Sequence, residues 1–286
     1  MSAIIFVFLL IFFFSAIIFT LTVMHLRGSR ILITRLRDSL KVRSEELIVN
    51  YLYNNTATIQ DINNFFKVEK ARIEAKHLFN ENIIRYLVNE STMRKEVMLE
   101  QLMELHKNIT GDIEKKIREL YNESDLKHYS FQKLKNKNWN IKVHGIRELT
   151  EMKVLDAIIE IARYINHKHP ILHTEAQMAV TRLSPDKDLS FLNHLTTRLT
   201  LWEQMHILNA IEEKGYEFVP DFSQWLESAN YSVVLFAINM IAYYKQDRAL
   251  VPLTKLMGHK DPNVRIAAIK TLGSLMNQNS PESAIY

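Results

Sequence analysis

The sequence contains no cysteine, so disulfides, thiolate nucleophiles and Cys-ligated metals are excluded. Six glycines and six prolines are few for 286 residues. Sheet proteins spend such residues on turns, so their scarcity favours long helices joined by short connections. Common enzyme signatures are missing too. There is no G-x-x-x-x-G-K-[ST], no G-x-G-x-x-G, no G-x-S-x-G and no H-E-x-x-H. The adjacent Glu45 and Glu46 diverge on a helix and make no acid–base pair. What remains is 47% hydrophobic and 24% charged, the composition of a folded chain, with a net charge of +4.

Charge is also absent from residues 3–24, AIIFVFLLIFFFSAIIFTLTVM. As a helix this run spans roughly 33 Å, enough for a bilayer core of about 30 Å. A cleaved signal peptide would need a basic start, a shorter apolar core and a small-residue cleavage site, none of which is present. Arg27, Arg30, Arg35, Arg37, Lys41 and Arg43 follow the run and no cation precedes it. By the positive-inside rule, the expectation is a transmembrane anchor over 1–26 in the inner (cytoplasmic) membrane. It is single-pass, with the C-terminal domain cytoplasmic.

Residues 27–134 read as a basic juxtamembrane segment and a helical section. Apolar residues recur at helical spacing in Ile33, Leu36, Leu40, Leu47 and Tyr51. NNTATIQDINNF reads as a turn and a new start. Two further amphipathic stretches are expected to divide near Glu90–Ser91, and Thr110-Gly111-Asp112 opens another helix. Degenerate repeats and a separate bundle both fit this section.

Residues 135–286 carry a repeat. Setting Ala268 of VRIAAIKTLG against the earlier chain finds Ala237, Ile207, Ala176 and Gly145, each 30 or 31 residues before the next. Val264 matches Val233 and Leu172, and Leu272 matches Ile241, Val180 and Leu149. A period of 20–50 residues marks stacked units that bury apolar faces only against their neighbours. The small residues let adjacent helices approach. Asp261-Pro262 supplies an N-cap and a first-turn proline, and Ser184-Pro185-Asp186 marks a similar break. The partner helix of each pair is expected in LDAIIEIARYI, LSFLNHLTTRL, VPDFSQWLES and ALVPLTKLMGH. The fold class is therefore all-α, an N-terminal transmembrane helix followed by an α–α superhelix.

DPNVRIAAIKTLGSL resembles the second helix of a HEAT repeat, with its Asp-Pro turn, Val-Arg pair, paired alanines and Leu-Gly end. LHTEAQMAVTRL is similar, with His173 where that family has arginine; Lys142, Gln204 and Val234 hold the same place in the other units. The whole layout resembles bacterial membrane-anchored HEAT-repeat proteins. The resemblance implies a non-enzymatic scaffold or adaptor. It binds a protein partner along the second helices, and a membrane glycosyltransferase of surface-polysaccharide synthesis is one such partner. The residues placed outward on that face are Lys142, Arg147, His173, Gln204, Asn209, Asn239, Arg265 and Lys270. Their basic and neutral mixture suits an acidic or polar partner and no nucleic acid. In this family the repeat arginine also serves to hold the stack together, which is the bland reading of Arg265.

The competing reading is an enzyme or metal-binding protein with a site in the helical section or between repeats. Its sharpest candidate is NHKHPILH, whose His167, His169 and His173 fall within seven residues. Pro170 separates His173 from the other two and no Asp or Cys adjoins them, so an inter-repeat loop is expected, with no metal and no cofactor. Trp139, Trp202 and Trp225 recur near unit boundaries and are expected to pack between layers.

Overall fold

The computed structural model describes residues 2–67, 81–184, 189–212 and 219–278, with side chains for all of these except 2–11, 25, 26, 28–30, 32 and 81–89. Every described element is helical, and no strand occurs among the described residues. Two compact units result, Met1–Leu126 and Lys127–Tyr286.

The first unit opens on α1 (Ser2–Val49), one unbroken helix of 48 residues. At 1.5 Å per residue it is about 72 Å long. The apolar run and the amphipathic stretch after it are therefore one rod. Among the described residues no helix is long and apolar enough to cross a membrane. The span expected over 3–24 includes residues whose side chains lie outside the described set, and the described residues do not support it. A π-helical turn at Asn50–Asn54 ends the rod, and Asn55 takes the left-handed conformation at φ 52°. Lys116 secures that turn, donating to Leu52 O at 3.1 Å and Asn55 Oδ1 at 3.0 Å.

A capping box starts α2 (Ile59–Phe66). Asp61 N–H donates to the Thr58 hydroxyl, and Thr58 N–H donates to the Asp61 carboxylate. Next come α3 (Glu81–Asn108) and α4 (Asp112–Glu123). The break expected at Glu90–Ser91 is absent, because tertiary partners absorb the residues that suggested it. Ser91 donates to Phe66 O at 2.8 Å, and Glu90 pairs with Arg94 one turn on. Arg94 also donates to Phe65 O and Lys67 O, closing the carbonyl end of α2. Gly111 begins α4 from φ 85°, a backbone state open to glycine. Ile48, Leu52, Phe66, Met98, Leu102, Ile117 and Tyr121 fill the core between these helices.

The second unit is built on α5 (Asp125–Leu134), α6 (Trp139–Glu151), α7 (Ile158–Ala162), α8 (Pro170–Leu183), α9 (Leu201–Glu212), α10 (Tyr231–Tyr243), α11 (Leu250–Lys255) and α12 (Pro262–Gln278). The repeat helices are α6, α8, α9, α10 and α12. Within this row α6 packs on α8, α8 on α9, and α10 on α12. Gly145, Ala176, Ile207, Ala237 and Ala268 are all buried, one in each repeat helix. The residues that recur in the sequence thus occupy buried positions on successive repeat helices. The ends recur as well. Lys153 and Lys245 both take φ 54°, and the next residue donates back to Leu149 O and Ile241 O respectively, closing α6 and α10 alike.

The first helix of each pair is less regular than expected. Leu155–Ala157 leads into the short α7, and Asp247–Ala249 into α11. Ser190–His194 and Phe222–Trp225 are only 3₁₀ turns. The Asp221 side chain caps the start of the latter by accepting from Ser223 N–H, and its apolar side chains still fill the layer. Phe222 stacks on Tyr244 and meets Phe236 edge-on. The break expected at Ser184-Pro185-Asp186 lies in part outside the described residues; α8 ends at Leu183.

Candidate functional site

The eight residues placed outward by the repeat register fall into two groups. Lys142, His173, Gln204 and Arg265 lie three positions before the buried reference residue. Each turns back to the loop that precedes its own helix. Lys142 Nζ donates to Leu134 O at 2.9 Å and sits over the Tyr164 ring. His173 Nδ1 bonds His167 O at 2.9 Å, and Gln204 Nε2 donates to Leu199 O at 3.2 Å. Arg265 donates to His259 O and Lys260 O at 2.8 and 3.1 Å. Loop carbonyls at these turns lack helix partners, and one cation or amide per unit satisfies them. Val234, at the same place in α10, is buried.

Arg147, Asn209, Asn239 and Lys270 lie two positions after the reference, and all four are exposed. They form a row with one residue on each of α6, α9, α10 and α12. Arg147 pairs with Glu175 of α8, which holds its guanidinium above the ordinary arginine value through that hydrogen bond. Beside the row, Met205 and Ile266 are exposed one turn earlier on α9 and α12. The sequence placed all eight residues on one face. It did not separate the two groups, because the −3 position is polar whether its partner is a loop carbonyl or another molecule.

The histidine loop is absorbed into the fold. His169 stacks on Trp139 at 3.8 Å, and His169 N–H donates to His167 Nδ1 at 3.0 Å. His173 Nε2 faces the Glu203 carboxylate at 3.6 Å. Glu203 itself is buried at a position where the other units carry Val264, Val233, Leu172 and Ile141. It accepts from Thr174 Oγ1 and from Thr200 N and Oγ1, which explains how a carboxylate is tolerated there. Among the described residues no three His, Asp or Glu side chains are arranged to hold a metal ion.

His167 titrates below its ordinary value of 6.5, first because burial disfavours its charge and then because Lys142, His169, Lys168 and His173 lie near. The unfolded chain therefore binds the proton more tightly than the folded one. The neutral ring's contribution is present above about pH 6.5 and is lost as pH falls through the lowered folded value. Urea unfolding at successive pH values should show stability declining below about pH 6.5, and His167→Gln should flatten that decline. An unchanged slope in the variant would show that the loop histidine is not responsible.

Two surface features escaped the sequence. Trp202 is exposed on α9 and does not pack between layers, whereas Trp225 is buried as expected and Trp139 is partly covered by His169. An open cleft of about 450 Å³ lies between α1 and α3, lined by Lys41, Glu45, Gln101 and Glu104 over Ile48 and Leu105. Gln101 bridges its walls, donating to Lys41 O and Glu45 Oε1.

Residues 219–285 match the family model for HEAT repeats, over the stretch containing α10, α11 and α12. No curated protein matches the chain.

Proposed function

We propose that this chain is a non-catalytic helical-repeat adaptor, held at the cytoplasmic face of a membrane through residues 3–24. Its exposed row Arg147, Asn209, Asn239 and Lys270 receives a protein partner. The row is the observation that carries the reading. It presents one polar or basic side chain on each of four repeat helices, α6, α9, α10 and α12, beside exposed apolar groups, as a surface shaped for a second protein does. HEAT repeats are typically non-catalytic scaffolds that bind proteins, which agrees with the match at 219–285.

The tether rests on α1. Phe12, Phe13, Phe14, Ile18, Phe19 and Leu21 are exposed in succession and so occupy every side of the helix. A helix apolar all round needs an apolar environment, and among the described residues of its own unit none covers these side chains. Confinement to a membrane raises the effective concentration of a membrane-borne partner. The partner class indicated by the sequence resemblance is a surface-polysaccharide glycosyltransferase. Lys142, His173, Gln204 and Arg265 hold the row's loops in place and meet the partner less directly.

Crosslinking of the intact protein in native membranes, followed by identification of the attached chain, tests this. Lys270→Glu combined with Asn209→Glu should cut partner capture about tenfold, the effect of losing roughly 1.4 kcal/mol, with helicity unchanged. Equal capture by the variant would remove the row from the interface. Release of the wild-type protein by an alkaline carbonate wash would remove the tether.

A further inference from the structure

The turns that precede the repeat helices carry a second surface. Four of them are stitched into one edge of the Lys127–Tyr286 unit. Tyr164 Oη donates to Leu134 O at 2.6 Å, and Trp139 stacks on His169. Asn166 Nδ2 donates to His194 O at 2.7 Å, and Asn166 Oδ1 accepts from Thr196 N–H at 2.8 Å. Asn230 Nδ2 donates to Leu195 O and Thr197 O at 2.9 and 2.7 Å, and Leu199 N–H donates to Ser232 Oγ. Residues 134–139, 164–169, 194–200 and 228–232 thus form a single bonded rim.

The rim is one-sided in charge. It contains Lys135, Lys137, Lys168 and Arg198, all exposed, and not one Asp or Glu. None of these four cations makes an ion pair among the described residues. The nearest acid in sequence, Glu227, lies outside the rim and faces Lys255 at 3.9 Å. The repeat helices α6, α8, α9 and α10 begin at these turns, so their positive dipole ends add to the same field.

The rim is also apolar where the helices start. Leu201 and Trp202 are 72% and 61% exposed, with Ile171 and Tyr231 at 47% and 40%. Side chains that exposed project from a surface and do not line a groove, so a peptide would find little to enclose it. Projecting Trp, Tyr, Leu and Ile beside these exposed Lys and Arg match the boundary between anionic headgroups and acyl chains.

We propose that this rim docks on an anionic lipid bilayer, with Leu201 and Trp202 entering the headgroup boundary and Lys135, Lys137, Lys168 and Arg198 meeting lipid phosphates. This goes beyond the protein-binding row, which uses other residues. It also stands apart from the tether, since the rim would bind lipid from solution as well. The asparagine bonds hold the turns in place beforehand, so binding orders little.

The absence of cysteine makes the test direct, because Trp202→Cys is a unique labelling point in the full chain. A polarity-sensitive fluorophore there is followed in two settings. The protein is either added to preformed vesicles or reconstituted into them, using phosphatidylcholine alone or with about a third phosphatidylglycerol. Anionic vesicles should shift the emission to the blue and make it quenchable by brominated acyl chains. Neutral vesicles should leave it water-like. Lys168→Glu with Arg198→Glu should abolish the shift at unchanged circular dichroism, and the same label at Asn239→Cys should not respond.

No shift with anionic vesicles, or an equal shift with neutral ones, would overturn the proposal. So would a response to soluble polyglutamate in place of lipid, which would assign the rim to an acidic protein. Retention of the reconstituted chain after an alkaline wash reports the tether alone, so its failure and that of the rim read out separately.

Discussion

Glu148→Leu should lower the stability of the Lys127–Tyr286 unit by about 3–5 kcal/mol. The Glu148 carboxylate on α6 is buried against α5, where it meets Lys133 Nζ at 2.5 Å and accepts from Ser130 Oγ at 2.6 Å. Both side chains of the pair are nearly inaccessible, at 4% and 10% exposed. Removing the carboxylate takes away the anion that the buried Lys133 ammonium meets at 2.5 Å, while the cation–π contact with Tyr129 at 4.7 Å remains. Replacing both partners removes the ammonium as well. Lys133→Met with Glu148→Leu should therefore recover most of the loss, as buried ion pairs exchanged for apolar groups of similar size commonly do. Urea unfolding of the intact chain in detergent reads both results. A single variant that costs less than about 1 kcal/mol would show that the junction admits water.

Gly145 tests the same junction from the steric side. A Cβ placed there would lie 2.8 Å from Ser130 O and 2.9 Å from Lys133 Cβ. The first is backbone and cannot swing aside. Gly145→Val should thus separate α5 from α6 and cost about 1–3 kcal/mol or more. The informative comparison is Gly145→Ala. In an open helix, alanine gains about 1 kcal/mol over glycine, so a destabilised alanine variant reverses the usual sign. At Gly273, inside α12, an added Cβ would meet nothing within 4 Å. Gly273→Ala should accordingly raise stability by roughly 0.5–1 kcal/mol. Equal behaviour of the two alanine variants would remove close packing as the reason for glycine at 145.

Both experiments bear on where the repeats begin. The sequence placed the first unit at residue 135, after the lysine- and asparagine-rich turn. In the structure α5 packs against the first repeat helix α6 through Ser130, Lys133 and the close approach at Gly145. Nothing in the periodicity of α5 announces this. Its contribution is a buried charge and a backbone surface, neither of which follows an apolar pattern.

The sequence alone determined the helical class, the recurrence of Gly145, Ala176, Ile207, Ala237 and Ala268, and the cap at Asp261; the caps at Asn138 and Asn230 came with the structure. These are consequences of local spacing: a period near 31 repeats one packing contact, and a cap acts within three residues. Only the tertiary structure decided which polar residues of the second helices turn inward. It also decided that Trp202 is exposed while Trp225 is buried, and that α3 runs unbroken past Ser91. In each case the outcome depends on what a neighbouring element offers, whether a loop carbonyl, an apolar layer or the end of another helix. Sequence spacing carries no record of that neighbour.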